Sequence, residues 1–330
     1  MLVPEIIQKY KRQNQLHTAA LFASMLGLVT LLGYLLVGQF GLFVAMGLGV
    51  LLMILAPKIS PQLVLRLYKA RLVNAYDAPN LHQIMQVLAE RAGLNKVPQL
   101  HYIPGDIMNA FAVGSSQNAH IAISEGLLRT LNLREIKGVL AHEMSHISNN
   151  DMQVIGFADL MSRLTNMLST LGKILLIINL PLLLIGEVVV SWGAVLLLIL
   201  APTIAGLLRL ALSRTREFNA DLHAATLTQD PMGLASALSK IEHYTGNFLQ
   251  QILRSGYRVS EPAFFRTHPK TSERIARLKE MKQPEVIEPL AANQEDVVRV
   301  LLERYLTSMT SDSIKPGFYW RGRMMGLRLL

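Results

Sequence analysis

No Asp, Glu, Lys or Arg occurs between Gln13 and Pro57 of this chain, a stretch made largely of Leu, Val, Gly, Ala, Phe and Met. In hydrocarbon every backbone N–H and C=O needs a partner within the chain, so such a run is expected to fold as helix. It is long enough for two spans of about 18 to 20 residues each. The spans lie near Thr18 to Val37 and Phe40 to Ala56, with Gly38-Gln39 as the turn. Lys9, Lys11 and Arg12 precede the first, and Lys58, Arg66, Lys69 and Arg71 follow the second. Basic flanks mark the cytoplasmic side, so both ends of this hairpin are expected there. A cleaved signal peptide is disfavoured, because no small-residue cleavage pattern is present and a second span follows directly.

A second apolar block, Ile174 to Leu208, is interrupted by Glu187 and reads as another hairpin. Lys173 and Pro181 confine its first arm, which could span, re-enter or pack obliquely. Arg209, Arg214 and Arg216 follow the second arm and again mark the cytoplasmic side. About four membrane helices result. The net charge of +9 and a pI near 9.8 would also suit nucleic acid. The basic residues cluster at span ends, however, and no nucleic-acid fold signature accompanies them, so the lipid bilayer is the expected partner. The absence of cysteine excludes disulfides and thiolate ligands.

Between the two apolar blocks lies His142-Glu143-Met144-Ser145-His146. On a helix, side chains four apart sit one turn above each other, so both imidazoles face one ion. Neutral imidazole is a good zinc ligand, and Glu143 beside it can take a proton from water, the arrangement of the HExxH metalloproteases. The surroundings support a helix: Asn132 and Glu135 make a capping box, Leu133, Ile136, Val139 and Leu140 form an apolar stripe, and Asn149-Asn150-Asp151 reads as its end. Two histidines on an ordinary helix can still be coincidence, so a third ligand is needed.

Ser213 to Asp221 also reads as helix and places Glu217 and Asp221 one turn apart on a common face. Glu217 is expected as the third metal ligand. Asp221 is expected behind it, accepting the N–H of a ligating histidine and fixing its tautomer. His223 is a competing ligand but falls off that face.

These segments in this order resemble the membrane-embedded M48 zinc metalloproteases, most nearly their HtpX-like branch. The resemblance runs from about Pro79 to Leu278 and includes Asn109-Ala110-Phe111-Ala112-Val113-Gly114, similar to the family's strand beside the cleft. It also includes Thr267-His268-Pro269 with Arg274-Ile275. Lys270 departs from the family, which often has proline there, and the chain beyond about Lys282 matches nothing in it. The resemblance implies one Zn2+ per chain, substrate contacts at Asn109, Ala110 and Phe111, and His268 as the catalytic group that stabilises the oxyanion. Arg274 is read as structural.

The soluble part is read as one domain in two pieces. Pro79 to Ala92 has apolar residues at helical spacing. Leu100 to Ile103, Ala110 to Gly114 and Ala119 to Ser124 read as strands, the last two joined at Ser115-Ser116-Gln117-Asn118. The expected organisation is a membrane hairpin (1–57), a first catalytic part (58–172), a second hairpin (173–212), a second catalytic part (213–283) and a tail (284–330) with an amphipathic helix from Glu295 to Thr307. The fold class is α+β and mainly helical: an integral membrane protein carrying a gluzincin-type domain with a small β-sheet.

The resemblance implies a multi-pass enzyme of the cell inner membrane, with its catalytic domain and both termini facing the cytoplasm, that degrades misfolded or damaged membrane proteins. A prenyl-protein-type processing endopeptidase is the alternative within the same superfamily, though two hairpins leave little for a lipid-accepting chamber. A non-proteolytic scaffold stabilised by zinc is the alternative outside it, and Glu143 argues against that reading because a structural site needs no adjacent base. Association into a homo-oligomer is left open.

Overall fold

The protein is described by a computed structural model covering residues 4–54, 60–184, 192–254 and 271–281. Helix α1 runs Pro4–Ile54, broken at Val37 and Gly38, where the backbone leaves helical geometry and Gly38 has φ 65°. A glycine there reaches positive φ without steric cost. The break reverses the chain: a Cβ on Gly33 would lie 2.5 Å from the carbonyl oxygen of Gly41, and one on Gly49 would lie 2.6 Å from the side chain of Leu26. Such contacts arise only if the two arms of α1 lie side by side, as the expected turn requires.

Helices α2 (Pro61–Leu67) and α3 (Pro79–Arg91) follow, with the short strand β1 (Arg71–Leu72) between them. Strands β2 (Gln99–Ile103), β3 (Ala110–Ser115) and β4 (Asn118–Ser124) complete a sheet of order β1-β2-β4-β3. The β3–β4 pair is antiparallel and closes at Ser115 opposite Asn118, as the turn residues predict, whereas β2 and β4 are parallel. Alternation along the strands separates two faces. Ile121 and Ile123 enter the main core, and Ala122 packs under Leu65 with Phe111 and Val113. Among the described residues, strand β3 is an edge of the sheet.

After α4 (Glu125–Thr130) come α5 (Leu133–Ser148), α6 (Asp151–Leu184), α7 (Trp192–Thr228), α8 (Pro231–Arg254) and α9 (Thr271–Glu280). Ile136, Leu140, Met144 and Ile147 of α5 sit at the centre of the core, between the sheet and α8. Gly138 lets α8 approach, since a Cβ there would come within 2.8 Å of the Leu234 nitrogen. Among the described residues two helices are long and apolar enough to cross a membrane, α1 and α7.

The arms of α1 pack with α6 and α7. Leu28 and Leu32 meet Leu198, Ala201 and Ala205, while Phe22 stacks on Phe157 at 5.1 Å. Both α6 and α7 run unbroken from this bundle into the domain containing α5, so the expected divisions at 172 and 212 fall inside continuous helices. With 37 residues, α7 is about 55 Å long. Its apolar half belongs to the bundle and its other half to the core. Glu187, the Thr267-His268-Pro269 element and the tail from 284 lie outside the described residues.

Candidate metal centre

The site starts from the N-terminus of α5. Asn132 accepts the backbone N–H of Glu135 at 2.9 Å, and Glu135 accepts that of Asn132 at 2.8 Å, which fixes where the helix begins. From that start, the register brings His142 and His146 to one face, ring centroids 4.7 Å apart. The helix ends at Ser148. Asn149 and Asn150 then turn the chain, Asn150 with φ 53°, a left-handed conformation that asparagine tolerates. This tight link returns Asp151, the first residue of α6, to the site: its carboxylate accepts from His146 Nδ1 at 2.7 Å.

Helix α7 supplies the opposite wall. Glu217 Oε2 lies 3.4 Å from His142 Nε2, and Oε1 lies 3.8 Å from His146 Nε2. One turn on, Asp221 Oδ1 lies 3.1 Å from His142 Nδ1. Arg274 of α9 closes the back: Nε and a terminal nitrogen donate to the two oxygens of Asp221 at 2.7 and 2.6 Å, and another nitrogen lies 3.2 Å from Glu217. Arg216 donates to Asp151 from Nε at 2.5 Å.

A metal fits this set on three counts. Ligand atoms of His142, His146 and Glu217 all lie within 4.8 Å of one another. Each histidine directs Nδ1 at an aspartate, which leaves the two Nε2 atoms 3.1 Å apart and turned toward the same point. Two nitrogens on a tetrahedral zinc stand about 3.3 Å apart, given Zn–N near 2.0 to 2.1 Å. The charges also balance: four buried carboxylates (Glu143, Asp151, Glu217, Asp221) face two guanidiniums (Arg216, Arg274), leaving two negative charges for a divalent ion. Burial pushes the His142 imidazole down, but Asp221 and Glu217 outweigh it and hold it up at about 10. A field that holds a proton on this ring favours any cation in the same place.

The model of peptidase family M48 matches residues 75–282, which include every residue of this cluster. The chain belongs to peptidase family M48. Among relatives of this M48 peptidase is the Protease HtpX homolog of Thermococcus sibiricus, 34% identical over 287 residues, 81% of this chain and 96% of the relative. The Protease HtpX homolog of Acaryochloris marina is 38% identical over 286 residues, 82% and 95% of the two chains. Among solved structures, S. mikatae Ste24p resembles it at TM-score 0.43 and 20% identity, over 82% of this chain and 66% of that one. As an M48 peptidase with HtpX relatives and two long apolar helices, the protein is a membrane metalloprotease, a hydrolase of a family that in general depends on zinc.

Other expected residues of the M48 peptidase distribute as follows. Glu143 is buried beside His142 and close enough to Arg274 to help hold that guanidinium charged. Asn109 stands at the entrance to edge strand β3, its backbone N–H donating to Ser124 Oγ at 2.8 Å and its carbonyl accepting from Ser124 N–H at 2.9 Å. Ala110 is buried in the core, and Phe111 lies on the opposite face, its ring 4.9 Å from that of Tyr68. His223 points away from the cluster, with Nδ1 3.4 Å from Ser148 Oγ. His268 lies outside the described residues.

Two partners were not legible in the sequence. Asp151 reads there as a helix end, and only its position five residues after His146 hinted at a return contact. Arg274 belongs to a motif of the resemblance, but nothing local signals that it bridges Asp221 and Glu217.

Proposed function

We propose that this protein is a zinc-dependent endopeptidase of the inner membrane that hydrolyses peptide bonds of misfolded or damaged membrane proteins at the cytoplasmic face. The observation that carries the reading is the convergence of His142, His146 and Glu217 beside Glu143. Those three residues would hold one zinc ion per chain. Bound there, the ion supplies Lewis acidity to a carbonyl and lowers the pKa of water towards about 7.

The chain's own groups do the rest. Glu143 takes the proton from the attacking water and returns it to the leaving amine. Asp151 and Asp221 hold the ligating rings in one tautomer. An extended substrate adds to the edge of β3 near Asn109, Ala110 and Phe111, gaining affinity from backbone hydrogen bonds with little sequence preference. His268 donates to the developing oxyanion.

About four membrane helices, with both termini on the cytoplasmic side, follow from the basic flanks of the two apolar blocks. The packing of both arms of α1 with α6 and α7 supports that count. The continuity of α6 and α7 keeps the centre at the end of the bundle, within reach of substrates leaving the bilayer.

The test is cleavage of casein by the detergent-purified chain with zinc, wild type against Glu143→Gln. Cleavage by wild type, reduced about 10²- to 10⁴-fold in the variant at equal zinc content, is the expected result. Equal cleavage by both would overturn the role of Glu143. Zinc bound with no cleavage of any unfolded protein would overturn the endopeptidase reading.

A further inference from the structure

Helix α2 carries apolar residues on two opposite sides. Leu65 packs with Ile103 and Ala122 of the sheet, whereas Leu63 and Leu67, one turn apart on the other side, are exposed, Leu67 to 74%. Tyr68 and Leu72 are also exposed, and Tyr76 is 95% exposed. Large apolar and aromatic side chains standing out together between positions 63 and 76 exceed the scatter of single apolar residues on a soluble surface, and mark a face that meets a partner. The same segment has Arg66, Lys69 and Arg71 exposed and, from Pro61 to Tyr76, contains no Asp or Glu.

The position of α2 along the chain decides which partner. The first turns of α1 pack on the domain core through Ile6, Ile7 and Tyr10, so the domain lies at the end of the bundle where α1 begins. The second arm of α1 returns to that end: Gly49 lies against Leu26, and by Ile54 the arm has come level with about Leu21. The chain from Ile54 to Pro61 reaches at most about 25 Å, which tethers α2 near the level where the charge-free run ends and lipid headgroups begin. Basic residues without carboxylates complement anionic headgroups, and tyrosines beside leucines settle at the boundary between acyl chains and water. An unfolded polypeptide would use the apolar side chains but gives no reason for three basic residues and no acidic one.

We propose that the outer side of α2, with Leu72 and Tyr76, docks on the surface of an anionic phospholipid bilayer, Leu63, Leu67 and the tyrosines entering the interfacial layer and Arg66 and Lys69 meeting the headgroups. This contact is additional to the membrane helices and separate from the peptidase reaction. Its consequence for the domain runs through Tyr68, whose ring lies 4.9 Å from that of Phe111. Docking therefore holds the edge strand β3 close to the membrane surface.

The chain has no cysteine, so Leu67→Cys and Tyr76→Cys each accept a single environment-sensitive fluorophore at an exposed position. Each labelled full-length chain, with a Tm equal to that of the wild type, is placed one per disc in nanodiscs of phosphatidylglycerol and phosphatidylcholine. Quenching by nitroxide on the lipid acyl chains is compared with quenching by aqueous acrylamide. Stronger quenching from the lipid is expected at both positions, with the lipid-to-water ratio about fivefold lower in phosphatidylcholine alone or in the combined Arg66→Gln and Lys69→Gln variant. Quenching by acrylamide without quenching from the lipid at Leu67 would overturn the proposal, because α2 would then face water. Protection from acrylamide that appears only when casein is added would also overturn it and assign the face to polypeptide substrates. A ratio equal in both lipid compositions and in the charge variant would overturn the choice of an anionic surface.

Discussion

His142 and His146 hold their Nε2 atoms 3.1 Å apart, and each ring is fixed from behind by a different aspartate. Neither histidine is left to choose its tautomer. Asp221 reaches His142 from α7, and Asp151 reaches His146 from α6, so the two helices entering the bundle also orient the rings of the centre. Movement of α6 against α7 would therefore be felt at the ligands directly.

That arrangement sets the first expectation. Asp151→Asn keeps the shape and an acceptor for the ring N–H but removes the charge that makes His146 a stronger ligand. Zinc affinity should fall about 10- to 100-fold, measured by competition with a chelating dye. Asp221→Asn should act similarly through His142. An unchanged affinity in both would mean that the aspartates only fill space.

Arg274 sits buried between Asp221 and Glu217, and its removal takes away the guanidinium that pairs with both carboxylates. Breaking a buried pair in this way costs about 3–5 kcal/mol, so Arg274→Met should sharply lower the Tm of the zinc-free protein. Added zinc should then recover part of the loss, because a cation returns to the same carboxylates. The rise in Tm on adding zinc should exceed that of the wild type; an equal rise would argue that Arg274 and the metal do not share the field.

Much of this centre was legible in local spacing. The capping box at Asn132 and Glu135, the pairing of His142 with His146, and the common face of Glu217 and Asp221 follow from the period of a helix, and the structure keeps each. Asp151 and Arg274 were not legible for a different reason. Asp151 reaches back only because Asn150 adopts a left-handed turn, and Arg274 is separated from Asp221 by 53 positions, so both depend on tertiary geometry. The sheet divides the same way. The β3–β4 hairpin is local and shows in its turn residues, whereas the parallel pairing of β2 with β4 and the two-residue β1 are non-local. The hairpin of α1 was legible because the uncharged run is long enough for two spans and Gly38-Gln39 stands near its middle.

Glu135 gives the expected acid response. Burial pushes its carboxyl up, but Lys240 at 2.7 Å, Ser236 at 2.6 Å and the Asn132 backbone outweigh burial and hold it below its ordinary 4.5. With the folded value depressed, the stabilisation is present above about pH 4.5 and is lost as pH falls through the folded value. Glu135→Gln should therefore lower Tm at pH 7, by the equivalent of about 1–3 kcal/mol, and flatten its fall below pH 4.5. Parallel Tm profiles of the two proteins in acid would contradict this.

The close approach at Gly33 offers a test of the membrane hairpin independent of the metal. A Cβ there would stand 2.5 Å from the Gly41 carbonyl oxygen and 2.7 Å from the Ala45 Cβ, and backbone cannot yield as a flexible side chain does. Gly47, on the second arm, has nothing within 4 Å of its ideal Cβ. Small residues let helices in lipid approach closely, so Gly33→Ala should force the arms apart and cost about 1–3 kcal/mol. Gly47→Ala should instead be neutral or stabilise by about 0.5–1 kcal/mol, through helix propensity alone. Both variants should bind zinc with wild-type stoichiometry, since neither position touches the centre. Equal Tm values for the two would mean that the arms are not held at this crossing, and the side-by-side packing of α1 would have to be abandoned.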